Sequence, residues 1–158
     1  MARNLSGYER QLCRIQGRLF ERSLKMGLDS QDFIEKFMNS KTCGFLDLPF
    51  DRLQWAGEEY ILEDLLEETT IKPVGELFAS DEIYWAGYIY RYWHFLTGEG
   101  GRKIYSQADA NRMGECYLGF HTMEPAMAID NLKEISRQEN AARKQGVGSS
   151  ASICNSFR

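Results

Sequence analysis

The stretch that decides the fold is residues 83–96, which read IYWAGYIYRYWHFL. Seven of these fourteen residues are aromatic, about a third of the chain's aromatic total of nine Phe, eight Tyr and three Trp. A surface helix keeps one polar face, whereas this segment keeps almost none. Because aromatic side chains bury large apolar areas, the pattern predicts a central buried helix over residues 81–97.

Helical patterns continue on both sides of this segment. Apolar residues spaced three and four apart predict a first helix over residues 6–26, and further helices are predicted over residues 30–38, 47–68, 109–120 and 123–144. Residues 39–48 and 69–79 are interpreted as connectors. The sequence therefore predicts an all-α, single-domain bundle of about five to six helices spanning residues 1–145. Residues 146–158 are rich in Ser and Gly, which predicts a disordered polar tail.

One short motif occurs twice. Trp55-Ala56-Gly57 and Trp85-Ala86-Gly87 both belong to a W-A-G-x-x-Y pattern, at an offset of 30 residues. Gly inside a helix is unfavourable by about 1 kcal/mol relative to Ala, so a packing benefit is expected to compensate. Small residues let two helices approach closely, and we therefore predict that the two helices carrying the motif are neighbours.

Composition narrows the class of protein. The formal net charge of −4 disfavours indiscriminate binding to nucleic acid or to membranes. Four isolated cysteines fit reduced thiols better than a disulfide framework. The charged first 25 residues do not resemble a secretory leader, and the aromatic segment is too short to cross a bilayer and is interrupted by Arg91. We expect a cytoplasmic protein without membrane association.

Charge is distributed unevenly along the chain. Residues 1–25 carry six basic and two acidic side chains, whereas residues 50–69 carry seven acidic and one basic. Four arginines in the first helix repeat every four residues, at Arg10, Arg14, Arg18 and Arg22. Such a stripe could track phosphates, bind an acidic protein or pair with the chain's own acidic block. Motifs for base recognition are absent from the sequence.

The aromatic segment has one polar edge. At 100° per residue, Tyr84, Gly87, Arg91 and His94 fall on the same side of the predicted helix. In one interpretation this edge is a small pocket, in which Gly87 leaves room and Arg91 binds a carboxylate or phosphate. In the other, the edge faces solvent, or Arg91 pairs with an acidic residue such as Glu59 or Glu63.

Signatures of catalysis and of metal binding are missing. The sequence contains no G-x-S-x-G, Walker, H-E-x-x-H or G-x-G-x-x-G motif. Glu59, Glu63 and Glu67 lack the Glu-x-x-His companions of di-iron bundles, and Cys116 with His121 provides two of the four ligands that a closed zinc site needs. We therefore predict no catalytic residue, no metal and no cofactor, and favour a non-enzymatic protein.

Four blocks of the chain resemble a group of small bacterial helical proteins of uncharacterised activity. These blocks are FDRLQWAGEEYILE at residues 50–63, YIYRYWHFLTGE at 88–99, ADANRM at 108–113 and FHTMEPAMAI at 120–129. The resemblance extends over most of residues 8–135. It implies an antitoxin-like partner of a neighbouring toxin gene, of ADP-ribosyltransferase-like type, and carries over no catalytic residue.

Three functions follow from these observations. The first is a protein-binding module that neutralises a bacterial toxin, the product of a neighbouring gene, by covering its active site. Its predicted contact residues are Tyr84, Tyr88, Arg91 and His94 in the aromatic helix, with Arg14 and Arg18 in the first helix. The second is a nucleic-acid-binding regulator that uses the arginine stripe. The third is a small-ligand or enzymatic role near Arg91 and His94.

Overall fold

All regular structure in the computed structural model, which describes residues 3–49 and 51–146, is helical. The α-helices are α1 (Gly7–Lys25), α2 (Ser30–Met38), α3 (Lys41–Asp47), α4 (Glu58–Glu68), α5 (Ser80–Thr97), α6 (Gly101–Gln107), α7 (Ala110–Phe120) and α8 (Pro125–Lys144), with a 3₁₀ turn at Arg52–Trp55. No strand occurs in these residues. The prediction of an all-α fold is confirmed for the described part of the chain.

The described residues contain eight α-helices, so the predicted number of five to six is too small. The two additional helices, α3 and α6, have seven residues each. Two turns are too short for an apolar pattern to be recognised, and glycines within these segments favour interpretation as connectors. Residues 147–158 of the predicted tail lie outside the described part, and their disorder stays a prediction.

Helix α5 lies at the centre of the bundle, as its aromatic content predicts. It packs against α1, α6, α7 and α8, and both Tyr90 and Trp93 are almost fully buried. The helix ends at Gly98, which adopts a left-handed conformation with φ of 79° and so provides the expected C-cap. One continuous apolar core receives buried side chains from all eight helices.

Among the described helices, the most extensive pairing is between α1 and α5. A Cβ atom on Gly87 would lie 2.7 Å from the backbone oxygen of Gln16 and 2.8 Å from Cγ of Phe20. Gly87 thus permits the close approach that the sequence analysis inferred for this motif, but the neighbouring helix is α1.

The second copy of the motif lies outside a helix. Trp55 ends the 3₁₀ turn, and Gly57 precedes α4 with φ of 85°, a conformation that other residues rarely adopt. Helix α4 packs mainly against α1 and α3. The prediction that the two W-A-G segments form neighbouring helices is therefore wrong, because the same three residues take different backbone conformations.

Candidate partner-binding surface

Arg91 lies inside the protein, in the C-terminal half of α5. Its Nε donates to Oε1 of Gln16 over 2.9 Å, and its Nη1 donates to a carboxylate oxygen of Asp47. The side chain of Arg91 is only 3% exposed. The partner is thus Asp47 at the end of α3, not Glu59 or Glu63. A buried guanidinium with these partners holds α1, α3 and α5 together.

The interpretation that placed a small pocket beside Gly87 is wrong for the described residues. The backbone of Gln16 and the ring of Phe20 occupy the space that the missing side chain leaves. At Gly87, the polar edge of α5 therefore faces α1 rather than solvent or a ligand. The sequence could not distinguish these two cases, because a glycine serves a cavity and a close helix contact equally well.

His94 lies at the margin of the same polar network. Its Nδ1 is 2.8 Å from the backbone oxygen of Glu99 and 3.7 Å from Oδ1 of Asp47. The ring also lines a cavity of about 540 Å³ formed with residues that include Arg3, Tyr8 and Glu9. Arg3 and Glu9 form an ion pair with each other, so their charges are already compensated.

Glu99 lies two residues after the C-terminal end of α5 and forms hydrogen bonds with side chains of neighbouring helices. Its carboxylate accepts hydrogen bonds from Nε1 of Trp93 and Nζ of Lys133, each over 2.8 Å, and from Nε2 of Gln107 over 3.0 Å. Burial alone would raise the pKa of Glu99, but these hydrogen bonds outweigh it and lower the pKa to about 2. The sequence analysis missed this residue, since its partners lie on three helices.

Tyr84 and Tyr88, in the N-terminal half of α5, have a different environment. Both are half-buried, and both line an open groove of about 400 Å³ between α5, α7 and the start of α8. We call this cavity the aromatic groove. Its lining residues are Asp81, Tyr84, Trp85, Tyr88, Ile89, Tyr117, His121, Met123 and Pro125.

Ring contacts give the aromatic groove a defined shape. Tyr84 stacks on Tyr88 with ring centroids 6.3 Å apart. On the α7 side, Tyr117 meets Trp85 edge-on at 5.8 Å and stacks on His121 at 4.4 Å. These contacts fix the rings in place, so a partner would find the surface largely preformed.

The tyrosine hydroxyls at the groove are available to a partner. Within the described residues, the hydroxyls of Tyr84, Tyr88 and Tyr117 make no hydrogen bond, and no buried side-chain polar atom lacks one. Burial of the rings raises the pKa of Tyr84 and of Tyr88. Both hydroxyls therefore stay protonated at neutral pH and can donate as well as accept hydrogen bonds.

Arg14 and Arg18 lie beside this groove on α1. The ring of Tyr84 packs over Gly17, where a Cβ atom would lie 2.6 Å from Cε2 of the ring. Both arginines are close enough to Tyr84 to influence its hydroxyl electrostatically. The structure thus brings Tyr84, Tyr88, Arg14 and Arg18 to one face, and places Arg91 and His94 elsewhere.

The arginine stripe divides into two parts. Arg18 pairs with Glu58 over 3.3 Å, and Arg22 pairs with Glu59 over 3.1 Å. Arg10 and Arg14 are exposed, and Arg14 bonds to Gln11 of its own helix. The basic and acidic blocks of the sequence therefore meet in the fold, at the contact between α1 and α4.

One exposed apolar surface was missed by the sequence analysis. Around the 3₁₀ turn, five large apolar side chains remain exposed: Tyr8, Phe45, Leu48, Trp55 and Tyr60. The W-A-G pattern led to the expectation that Trp55 lies in a helix that neighbours the aromatic helix. The signal against that interpretation was the segment just before Trp55. It contains Asp47, Pro49 and Asp51, and residues of these types mark a turn.

The remaining predictions concern metal, membrane and thiols. Among residues 3–49 and 51–146, no three His, Cys, Asp or Glu side chains are grouped to hold a metal ion. No helix in this range is long and apolar enough to cross a membrane.

Cys13 and Cys43 are free and buried, whereas Cys116 takes part in a disulfide. The expectation of reduced thiols therefore does not hold for Cys116.

Comparison of the chain with protein-family models, with curated proteins and with solved structures gives no match. The antitoxin-like resemblance of the four sequence blocks stays a prediction.

Proposed function

We propose that the chain is a non-enzymatic protein-binding module, the antitoxin-like partner that neutralises a bacterial toxin. The observation that supports this function best is the aromatic groove, where three unpaired tyrosine hydroxyls surround a preformed cavity beside exposed arginine. Tyrosine and arginine are the residues enriched at the energetic centre of protein interfaces. A groove that is open, aromatic and fixed in shape is suited to an anchor side chain of a partner protein.

The contact would combine apolar burial with charge. An apolar or aromatic side chain of the partner enters the groove between Tyr88 and Tyr117, and the hydroxyls donate to its backbone or polar groups. Carboxylates of an acidic partner face Arg10 and Arg14 on α1. A stable interface buries about 1,600 Å² in total, so the groove is the centre of a larger contact that covers the toxin's active site.

The nucleic-acid alternative is less well supported. Two of the four arginines of the stripe are paired with Glu58 and Glu59, and the acidic α4 beside them would repel phosphates. The ligand alternative is weakened in the same way, because the donors of Arg91 are directed at Gln16, Asp47 and Cys43.

Co-expression with the product of the adjacent gene tests the proposal. We expect the neighbouring protein to inhibit growth when expressed alone, and to be harmless and co-purify when this chain is present. The combined substitution Tyr84→Ala and Tyr88→Ala should abolish the protection from the neighbouring protein and the co-purification with it. Val74→Ser is the matched control, since Val74 is 75% exposed and does not line the aromatic groove. A neighbouring product that is harmless alone and does not co-purify would refute the antitoxin role.

Binding to nucleic acid is the outcome that would favour the alternative. Retention on DNA or RNA that falls steeply with salt, and that Arg10→Ala with Arg14→Ala reduces, would indicate a regulator. We expect no such retention in buffer of low ionic strength.

A further inference from the structure

Exposed apolar residues lie around the 3₁₀ turn, and we call them, together with the groove beside them, the acidic-aromatic patch. Its apolar members are Tyr8, Phe45, Leu48, Trp55 and Tyr60. Trp55 is 67% exposed and Tyr60 is 55% exposed, which is unusual for side chains that bury large areas elsewhere. The rings of Tyr8 and Trp55 contact each other with centroids 5.5 Å apart.

The patch contains a groove of its own. Phe45 of α3, Leu53 of the turn and Tyr60 of α4 line a cavity of about 480 Å³ together with Asp51, Arg52, Ala56 and Asp64. Gln54 holds the turn in position, because its Nε2 donates to the backbone oxygens of Leu46 and Leu48 over 2.9 and 2.8 Å. The apolar groups are thus presented on a fixed support.

Unpaired carboxylates adjoin this groove. Glu63 and Glu67 lie three and seven residues after Tyr60, which places them on the same face of α4. Both are exposed, and neither forms an ion pair or hydrogen bond with a described residue. The other glutamates of α4 differ, since Glu58 and Glu59 pair with arginines and Glu68 accepts from the backbone of Thr42.

From this combination we propose that the acidic-aromatic patch docks a basic amphipathic helix of a partner protein. Apolar side chains on one face of that helix occupy the groove between Phe45 and Tyr60, and its Lys or Arg residues pair with Glu63, Glu67 and Asp51. The proposal goes beyond the function given to the aromatic groove and does not depend on it. The aromatic groove has the exposed Arg14 beside it, whereas this patch has Glu63 and Glu67, so the two surfaces would select different segments.

A model peptide tests the charge and the amphipathicity together. The probe is a helical peptide of about 18 residues, built from Leu and Lys with one apolar face, and its counterpart carries Glu in place of Lys. Trp85 and Trp93 are buried, so the fluorescence of exposed Trp55 reports on the patch. We expect the basic peptide to shift the emission to shorter wavelength, and the acidic peptide to bind at least about tenfold more weakly.

Variants assign the binding to the patch. Tyr60→Ala should weaken the basic peptide about tenfold or more, and Glu63→Gln with Glu67→Gln should weaken it several-fold and reduce its sensitivity to salt. Trp55→Phe removes the reporter, and Tyr88→Ala in the aromatic groove should change nothing. Equal binding of the two peptides, no effect of Tyr60→Ala, or self-association through the patch in sedimentation would each overturn the proposal.

Discussion

The two halves of α5 are both rich in aromatic residues, but their environments differ. In the C-terminal half, which we call the closed half, Arg91 makes a buried hydrogen bond to α1, and Glu99, two residues after the helix, makes partly buried hydrogen bonds to α6 and α8. In the N-terminal half, which we call the open half, the hydroxyls of Tyr84 and Tyr88 are unpaired and lie beside the aromatic groove. A helix can thus organise a core at one end and offer a binding surface at the other, because exposure depends on which helices pack against each half.

Arg91→Ala is expected to have the largest effect on stability. The substitution leaves Asp47 without its cation and opens a gap between α1, α3 and α5, which should lower the free energy of unfolding by about 3 kcal/mol. Urea denaturation measures the change. The control is Arg14→Ala on α1, beside the open half of α5. It should change the free energy of unfolding by less than about 0.5 kcal/mol. Equal effects of the two substitutions would remove the distinction between the halves.

Gly87→Ala should destabilise the protein by about 1–3 kcal/mol, because the added methyl group meets the backbone of Gln16. Gly114 in α7 is the matched control. A Cβ there would lie 3.5 Å from Phe78, an ordinary contact, and Ala has the higher helix propensity. Gly114→Ala should therefore stabilise the protein by up to about 1 kcal/mol. Thermal denaturation distinguishes the two signs, and a stabilising Gly87→Ala would contradict the close approach of α1.

Acid should weaken the closed half through Glu99. The pKa of Glu99 is about 2 in the folded protein, below the ordinary value of 4.5. Its contribution is therefore fully present above about pH 4.5 and is lost as the pH falls towards 2. We expect it to amount to about 1–2 kcal/mol after solvent screening. Urea midpoints measured between pH 2 and 6 should be less pH-dependent in Glu99→Gln, and an unchanged slope would contradict this account.

The smallest effect is expected from Arg18→Ala. Its ion pair with Glu58 is partly exposed, so its loss should lower the free energy of unfolding by less than about 1 kcal/mol. High salt should reduce the difference between the variant and the wild type further. A loss as large as that of Arg91→Ala would mean that the contact between α1 and α4 stabilises the fold as strongly as the contacts of the closed half.

Local patterns predicted much of the fold. The bounds of α1 and α5 follow from periodicity and from the terminating glycine at position 98. The attraction between the basic and acidic blocks follows from the distribution of charge along the sequence. Helices α3 and α6 were missed because seven residues contain too few apolar positions to define a face. The 3₁₀ turn was missed because the triplet Trp55-Ala56-Gly57 is identical to the helical copy, and because the Asp and Pro residues before it were interpreted as the start of a helix.

The site was predictable only in part. Tyr84, Tyr88, Arg14 and Arg18 do share a face, since antiparallel packing of α1 on α5 brings them together. Arg91 was placed on an accessible edge because its partner, Asp47, lies 44 residues away in the sequence. Such a pairing depends on how three helices meet, and no spacing within α5 encodes it.

The most direct test of the central claim is the affinity of the Tyr88→Ala variant for the product of the adjacent gene. Isothermal titration should show a loss of at least about tenfold relative to the wild type, while the free energy of unfolding changes by less than about 1 kcal/mol. An unchanged affinity with the same stability would contradict the assignment of the open half of α5 as the binding surface.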